Sequence, residues 1–355
     1  MWKRDWEQCR TRHERWWAGE GLVLAAWGTG LRIPGEPREA APVETREMDP
    51  VSYWRDPVGV ATRIRADMAG RLWPADMLPV AWPDIGTVCL AAYLGAVPEY
   101  TPTNVWYRPA GTNLDRPLEF DPQHPEVVRL EAVVSESVAR ANGDYLIGMP
   151  AVIPNMDVLA ELRGANELMY DLVDRPGWVL EKLDEIRAAW EAAWERLYAI
   201  IRDPDGGMAF GYFMLWGPGR TGLLQCDVSA TFSPQMFETY VMPGLERECA
   251  FLDHSMYHLD GHQCIPHLEL VLSLDRLDAV EWTPDPQVPS GGNPCWFPMY
   301  RRIRDAGKSL WVANARPDEL QPLLEAVGAD GLYVTIQGGS VEELERAAEI
   351  ADRYR

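Results

Sequence analysis

The stretch Met256-Tyr257-His258-Leu259-Asp260-Gly261-His262 joins a short apolar run to polar residues and a glycine. The apolar start predicts a β-strand, and the pattern turns helical directly after it. Side chains two residues apart in an extended segment project to the same face, so we expect His258 and Asp260 side by side. An imidazole beside a carboxylate suits a metal ion, a proton-transfer pair or a polar substrate. We therefore place the candidate functional site at the end of this strand.

Seven further apolar runs of similar length predict strands that are covered on both faces. Helical patterns lie between several of them. The clearest helix covers about 177 to 202, and another starts at Ser233-Pro234, where serine is a suitable cap and proline fits the first turn. Strands that alternate with helices predict a (β/α)₈ TIM barrel. The eight predicted strands are 87–94, 145–149, 208–215, 223–227, 256–259, 279–282, 309–313 and 332–336.

The first 84 residues are predicted as a helical and irregular extension packed on the barrel. Helices are expected over residues 1–18 and 51–72, with a short strand at Leu22–Trp27 between them. The barrel itself is expected over residues 85–355. Residues 95–144 are rich in Pro, Tyr and Asn, and are interpreted as a long excursion after the first strand of the barrel.

The amino-acid composition argues against several classes of function, including nucleic-acid binding and membrane insertion. The 355 residues are 47% hydrophobic and 25% charged, the balance of a soluble globular protein. A net charge of −21 argues against binding to nucleic acid or to an anionic membrane surface. No run reaches the roughly 18 apolar residues of a membrane span. The six scattered cysteines form no Cys-x-x-Cys pair, which favours reduced thiols and a cytoplasmic enzyme. A small-molecule substrate is expected, and a homodimer is one open possibility.

The barrel prediction locates the candidate catalytic residues, because active sites in such barrels lie at the carboxyl ends of the strands. Asp227 lies at the end of the fourth predicted strand, and Glu281 lies at the end of the sixth. The roles open to Asp227 are a general base, a charge partner for the histidine, an acceptor for a substrate hydroxyl, or a helix cap. The catalytic candidates are His258, Asp260, Asp227 and Glu281.

Aromatic residues near the same strand ends suggest a pocket for an apolar or sugar-like ligand. The alternative is that these rings pack the rim of the barrel. The candidate substrate-binding residues are Tyr212, Trp216, Tyr257, Trp282 and Gln337.

Four stretches together give the chain a family resemblance. They are Leu162-Arg163-Gly164-Ala165-Asn166-Glu167-Leu168-Met169-Tyr170-Asp171-Leu172, Phe232-Ser233-Pro234-Gln235-Met236-Phe237, His258-Leu259-Asp260-Gly261, and Tyr300-Arg301-Arg302-Ile303 through Gly307-Lys308. In this order and spacing, from about residue 85 to the end, the chain resembles the uroporphyrinogen decarboxylase superfamily. That superfamily includes the heme-pathway decarboxylase and methyltransferases that work with corrinoid proteins.

The resemblance implies a TIM barrel and, in the corrinoid methyltransferases, a zinc ion held by a His-x-Cys pair and a later cysteine. Here Asp260 stands where the first cysteine would be, and no cysteine lies near Gln337-Gly338-Gly339. We therefore expect nitrogen and oxygen ligands for zinc or another divalent metal, with His258 and Asp260 as the ligands and Glu281 as a further candidate. The arginine-rich amino-terminal motif of the decarboxylase has no clear counterpart in residues 1–50.

These observations favour a metal-assisted, methyltransferase-like enzyme that works with a corrinoid on a partner protein or with a small-molecule methyl donor. The alternative is a decarboxylase, another lyase or a hydrolase. It would act on a hydroxylated or sugar-like substrate through an Asp/His/Glu acid–base site without a metal, with Asp227 and Glu281 as acid and base. A third hypothesis is a barrel that binds a ligand without turning it over.

Overall fold

The protein has a mixed α/β fold in which parallel strands alternate with helices. The computed structural model describes residues 1–27, 31–33, 36–39, 49–83, 85–86, 88–111, 113–337 and 340–355. The strands are β1 Leu22–Trp27, β2 Val80–Ala81, β3 Val97–Tyr100, β4 Val105–Arg108, β5 Leu146–Met149, β6 Met208–Phe210, β7 Leu215–Gly217, β8 Thr221–Leu224, β9 His254–Asp260, β10 Ala279–Thr283, β11 Ser309–Ala315 and β12 Leu332–Gln337.

The helices cover one another and the faces of the sheets. They are α1 Trp6–Trp17, α2 Pro50–Arg55, α3 Pro57–Ala69, α4 Leu90–Tyr93, α5 Pro125–Ala141, α6 Met156–Arg163, α7 Ala165–Asp174, α8 Pro176–Ile201, α9 Pro234–Tyr240, α10 Met242–Phe251, α11 Leu268–Leu272, α12 Phe297–Asp305, α13 Leu320–Val327 and α14 Val341–Ala351. Short 3₁₀ helices lie at Asp227–Thr231, His262–His267, Pro294–Trp296 and Pro317–Glu319. Among the helices described, none combines the length and the apolar character that a membrane span requires.

The strands form two main sheets and a hairpin. The larger sheet is parallel throughout and has the order β1-β12-β11-β10-β9-β8. The smaller sheet has the order β2-β5-β6-β7, in which β7 runs antiparallel to β6. Strands β3 and β4 form a separate antiparallel hairpin within residues 95–144. Hydrogen bonding among the described residues therefore divides the predicted barrel strands between two sheets.

Several predicted elements are confirmed with small changes at their ends. The strands predicted at 145–149, 256–259, 279–282, 309–313 and 332–336 are β5, β9, β10, β11 and β12, and the predicted helix 177–202 is α8. Ser233 caps α9 as expected, since its side chain accepts a hydrogen bond from the Met236 amide at 3.2 Å.

Three predicted strands were wrong in kind or extent. Leu90–Tyr93, within the first predicted strand, is a short helix, as its two alanines favour; residue 87 lies outside the described residues. The predicted strand 208–215 ends at Phe210, and the chain returns as β7. Gly211 lies at this turn because Trp82 packs directly on it; a Cβ there would lie 2.1 Å from the Trp82 Cβ. The strand β8 covers Thr221–Leu224, so it starts and ends before the predicted 223–227.

The amino-terminal residues contribute to the sheet as well as cover it. Strand β1, predicted as part of an extension, pairs with β12 in parallel, with Leu22 opposite Leu332. Helix α1 packs at the amino-terminal ends of the strands. The Trp16 indole donates a hydrogen bond to the Leu310 carbonyl at 3.3 Å, and the Ser309 hydroxyl donates to the Trp16 carbonyl at 2.6 Å.

A row of buried side chains crosses four strands of the larger sheet and leads to the candidate site. The pairing register aligns His258, Glu281, Trp311 and Tyr333 on β9 to β12. Trp311 stacks on Tyr333 with ring centroids 4.3 Å apart. Phe213 packs against His258 at 4.8 Å and against Trp311 at 5.4 Å. The imidazole is thus held at one end of an aromatic layer.

Candidate metal and acid–base site

The structure brings together three residues that the sequence singled out. Asp227, His258 and Asp260 each offer one ligand atom, and these atoms all lie within 4.8 Å of one another. We call this set the carboxylate–imidazole cluster. His258 and Asp260 share one face of β9, with the His258 Nε2 atom 3.9 Å from the Asp260 Oδ1 atom. Asp227 follows β8, which pairs in parallel with β9, so both strands end at the same edge of the sheet.

Glu281 lies behind the imidazole. It pairs in register with His258, and its Oε2 atom is hydrogen-bonded to the His258 Nδ1 atom. The carboxylate is fully buried, and its other oxygen accepts a hydrogen bond from the Thr283 hydroxyl at 2.5 Å. A carboxylate in this position favours a proton on Nδ1 and leaves Nε2 to face the cluster. Many metal-binding histidines in proteins have the same support.

The charges around His258 hold it in the protonated form when no metal is bound. Burial alone would lower the pKa of this histidine. The charge and hydrogen bond of Glu281 oppose that effect, together with the charges of Asp227 and Asp260, and raise the pKa to about 9. A bound cation would therefore have to displace a proton from Nε2.

Asp227 titrates at a higher pH than an ordinary aspartate. The residue as a whole is exposed, but the protein around its carboxylate and the nearby charge of Asp157 raise its pKa to about 7, while His258 acts in the opposite direction. This value places a proton-accepting group close to neutral pH, beside an imidazolium that can donate a proton.

The amino-terminal end of α6 holds Asp227 in place. The Asp157 carboxylate accepts hydrogen bonds from the Asp227 amide at 3.0 Å and the Val228 amide at 2.8 Å. Asn155 caps this helix through the Asp157 amide and donates to the Gln225 carbonyl at 2.5 Å. The Gln225 amide in turn donates to the Asp227 carboxylate at 2.9 Å.

The sequence reasoning missed Asp157. The available signal was its place in the first turn of the helix that follows the second predicted strand, two residues after the capping residue Asn155.

The predicted substrate-binding residues do not assemble around the cluster as a group. Tyr212 is exposed, and its ring contacts that of Phe213, which packs on His258. Gln337 is exposed at the end of β12, beside residues 338 and 339, which lie outside the described residues. The family resemblance implies a later cysteine near these positions. Part of that region therefore also lies outside the described residues.

The other three predicted aromatic residues are buried away from the cluster. Trp216 packs edge-on against Trp6 of α1, with ring centroids 5.7 Å apart. Tyr257 packs against Phe237 and Trp282 against Trp296. Tyr257 and Trp282 neighbour His258 and Glu281 along their strands, so alternation turns their rings to the opposite face.

Comparison with known proteins supports the fold. No protein-family model matches the chain, and no curated protein matches it. Among solved structures, a methyltransferase from Methanosarcina mazei superposes with a TM-score of 0.62, covering 98% of this chain and 98% of that chain at 12% sequence identity. At this identity, the likeness shows a shared fold.

Proposed function

We propose that the protein is a metal-assisted, methyltransferase-like enzyme built on a (β/α)₈ barrel of the uroporphyrinogen decarboxylase type. The barrel is supported by the strand–helix alternation and by the likeness to a methyltransferase over nearly the whole of both chains. The carboxylate–imidazole cluster, with Glu281 behind its histidine, is the observation that carries the metal-assisted function.

The donor set fits a divalent cation. His258 would bind it through Nε2, and Asp227 and Asp260 through carboxylate oxygens, which is a nitrogen–oxygen set suited to zinc or a related ion. A metal bound there would supply Lewis acidity to polarise a methyl donor or to activate a methyl acceptor. Glu281 orients the imidazole, and Asp157 holds the backbone that carries Asp227.

Metal content tests this site directly. Elemental analysis of the purified protein is expected to find about one equivalent of zinc or another divalent metal, lost in His258→Ala and Asp260→Ala. The matched control is His262→Ala, which removes a nearby exposed histidine that pairs with Asp285. The control should retain the metal. A wild-type protein that binds no divalent metal after incubation with excess zinc would overturn the metal site.

The methyl carrier is proposed to be a corrinoid on a partner protein or a small-molecule donor, following the family resemblance. The test incubates the zinc-loaded protein with methylcob(III)alamin and a panel of small nucleophiles under anaerobic conditions. Visible absorbance should report protein-dependent loss of the methyl group to one of these acceptors. If no acceptor gives loss above the rate without protein, the corrinoid part of the proposal fails.

A second candidate is a lyase or hydrolase that uses acid–base chemistry without a metal. It is favoured by one observation: neighbouring groups with pKa values of about 9 and about 7, His258 and Asp227. A screen of nitrophenyl glycosides with a chelator present tests the hydrolase form. Activity there should be lost in both Asp227→Ala and Glu281→Ala, and full activity in both variants would rule this form out.

A further inference from the structure

A cavity lies between α2, α3 and the end of β2. Its volume is about 390 Å³, within the range of small-molecule sites. We call it the arginine pocket. Its lining combines aliphatic side chains with the aromatic rings of Tyr53, Trp54 and Trp82, two arginines, Arg63 and Arg71, and one acid, Asp67.

The arginine pocket carries an excess of positive charge in a chain whose net charge is −21. Asp67 pairs with Arg71, but it also pairs with Arg32 at 2.6 Å, so one carboxylate serves two guanidinium groups. The Arg71 side chain is largely buried, and its Nε atom has no hydrogen-bond partner among the described residues. An unsatisfied buried donor of this kind is costly, and it leaves the guanidinium with Asp67 as its one ion-pair partner among the described residues.

Arg63 adds a second cation with a defined orientation. Its guanidinium lies over the Tyr53 ring, 3.8 Å from the ring centroid, and donates a hydrogen bond to the Tyr53 carbonyl. The planar fork of an arginine matches a carboxylate, and aromatic walls favour a flat ligand. This chemistry selects a planar anion.

A continuous path of ring contacts joins the arginine pocket to the carboxylate–imidazole cluster. Trp82 in the pocket wall meets the Tyr212 ring at 6.4 Å, and Tyr212 meets Phe213 at 5.1 Å. Phe213 packs on His258 at 4.8 Å. Only three ring contacts thus separate the pocket wall from the imidazole.

We propose that the arginine pocket binds a planar carboxylate, of the aromatic carboxylate class, as the anchoring end of the substrate. The substrate role rests on the proposed function, whereas the binding itself does not depend on a metal. The guanidinium groups of Arg63 and Arg71 hold the carboxylate, and the rings of Tyr53, Trp54 and Trp82 enclose the flat part.

Titration calorimetry of the full-length protein with 2-naphthoate tests the binding. Arg63→Gln and Arg71→Gln should each weaken it about tenfold or more, as loss of a charge-assisted hydrogen bond predicts. The control Arg108→Gln removes an exposed arginine paired with Glu99 and should bind as the wild type does. The neutral 2-naphthamide should bind at least tenfold more weakly than the acid. Circular dichroism checks that each variant folds. If Arg71→Gln does not fold, Arg63→Gln still tests the proposal independently.

The proposal is overturned if 2-naphthoate does not bind, if both glutamine variants bind it normally, or if the amide binds equally well. His258→Ala separates this result from the metal proposal, since it should lose metal and keep naphthoate binding. With Mn²⁺ in place of the native metal, the naphthoate proton signals should broaden in the wild type but not in His258→Ala. Unchanged signals in a wild-type protein shown to hold both Mn²⁺ and naphthoate would overturn the substrate role.

Discussion

At the residue scale, one buried carboxylate decides which nitrogen of His258 faces the cluster. Glu281 is fully buried, and both of its oxygens are engaged, by His258 and Thr283. A fixed partner of this kind sets the tautomer and ring orientation before any ligand arrives. The cluster therefore depends on a residue that does not itself belong to it.

Replacement of Glu281 by glutamine tests this dependence. The amide has nearly the same shape but carries no charge, so the imidazole loses its anionic partner. We expect the affinity for zinc to fall about 10- to 100-fold, measured by competition with a chromophoric chelator. Glu269→Gln, on an exposed glutamate paired with Arg302, is the control and should bind zinc normally. Equal affinity in Glu281→Gln and the wild type would show that the carboxylate does not support a ligand.

Much of the cluster could be predicted from the sequence because strand ends and two-residue alternation locate side chains without tertiary detail. These rules gave His258 and Asp260 on one face and Glu281 beside them. The same alternation turns the rings of Tyr257 and Trp282 away from the cluster. The prediction that these two rings line a pocket beside it therefore conflicted with the rule that located His258 and Glu281. Asp157 was beyond the rule, because it comes from the start of a helix.

At the element scale, apolar composition alone does not separate a strand from a buried helical turn. Leu90–Tyr93 is buried and apolar like the true strands, yet it is a helix. A short apolar run carries no period long enough to distinguish the two. The long helix α8 was predictable because its apolar residues repeat over seven turns.

The contact of α10 with α8 contains a buried acid whose charge opposes folding. Glu248 on α10 is almost fully buried, and its Oε2 atom has no hydrogen-bond partner among the described residues. Burial raises its pKa to about 8; the charge of Arg187 on α8 lowers it, and that of Glu191 raises it. The unfolded chain loses this proton near its ordinary pKa of 4.5. The free energy of unfolding is therefore reduced progressively from about pH 4.5 to about pH 8, and the loss levels off above that.

Glu248→Gln should abolish this pH-dependent loss of stability, because the glutamine amide resembles the protonated acid. We expect equal stability of variant and wild type near pH 4, and a variant more stable by a few kcal/mol at pH 9. Urea unfolding at a series of pH values measures the difference. Glu246→Gln, an exposed position on the same helix, should show no such trend. A difference that does not grow with pH would contradict the assignment.

At the scale of the whole molecule, one buried carboxylate joins elements from the beginning and the end of the sequence. Asp76 is fully buried and lies between α3 and β2 in the sequence. It pairs with Arg12 of α1 and with the terminal residue Arg355, and it accepts a hydrogen bond from the Leu24 amide of β1 at 2.9 Å. The first helix, the first strand and the last residue are thus joined through a single side chain, so they should unfold together.

Asp76→Asn should therefore destabilise the whole molecule rather than release one end of it. Two partly buried guanidinium groups would lose their common counter-ion. Because each keeps a second carboxylate partner, the cost should fall below the roughly 3–5 kcal/mol of breaking a fully buried ion pair. Urea unfolding should show one cooperative transition at lower urea, with an unchanged dependence on urea concentration. Asp352→Asn is the matched control, because Asp352 also pairs with Arg355, at 2.6 Å, but is exposed, so its loss should cost under about 1 kcal/mol. If Asp76→Asn instead gave two separate transitions, the ends of the chain would be independent of the sheet, and Asp76 would act only locally.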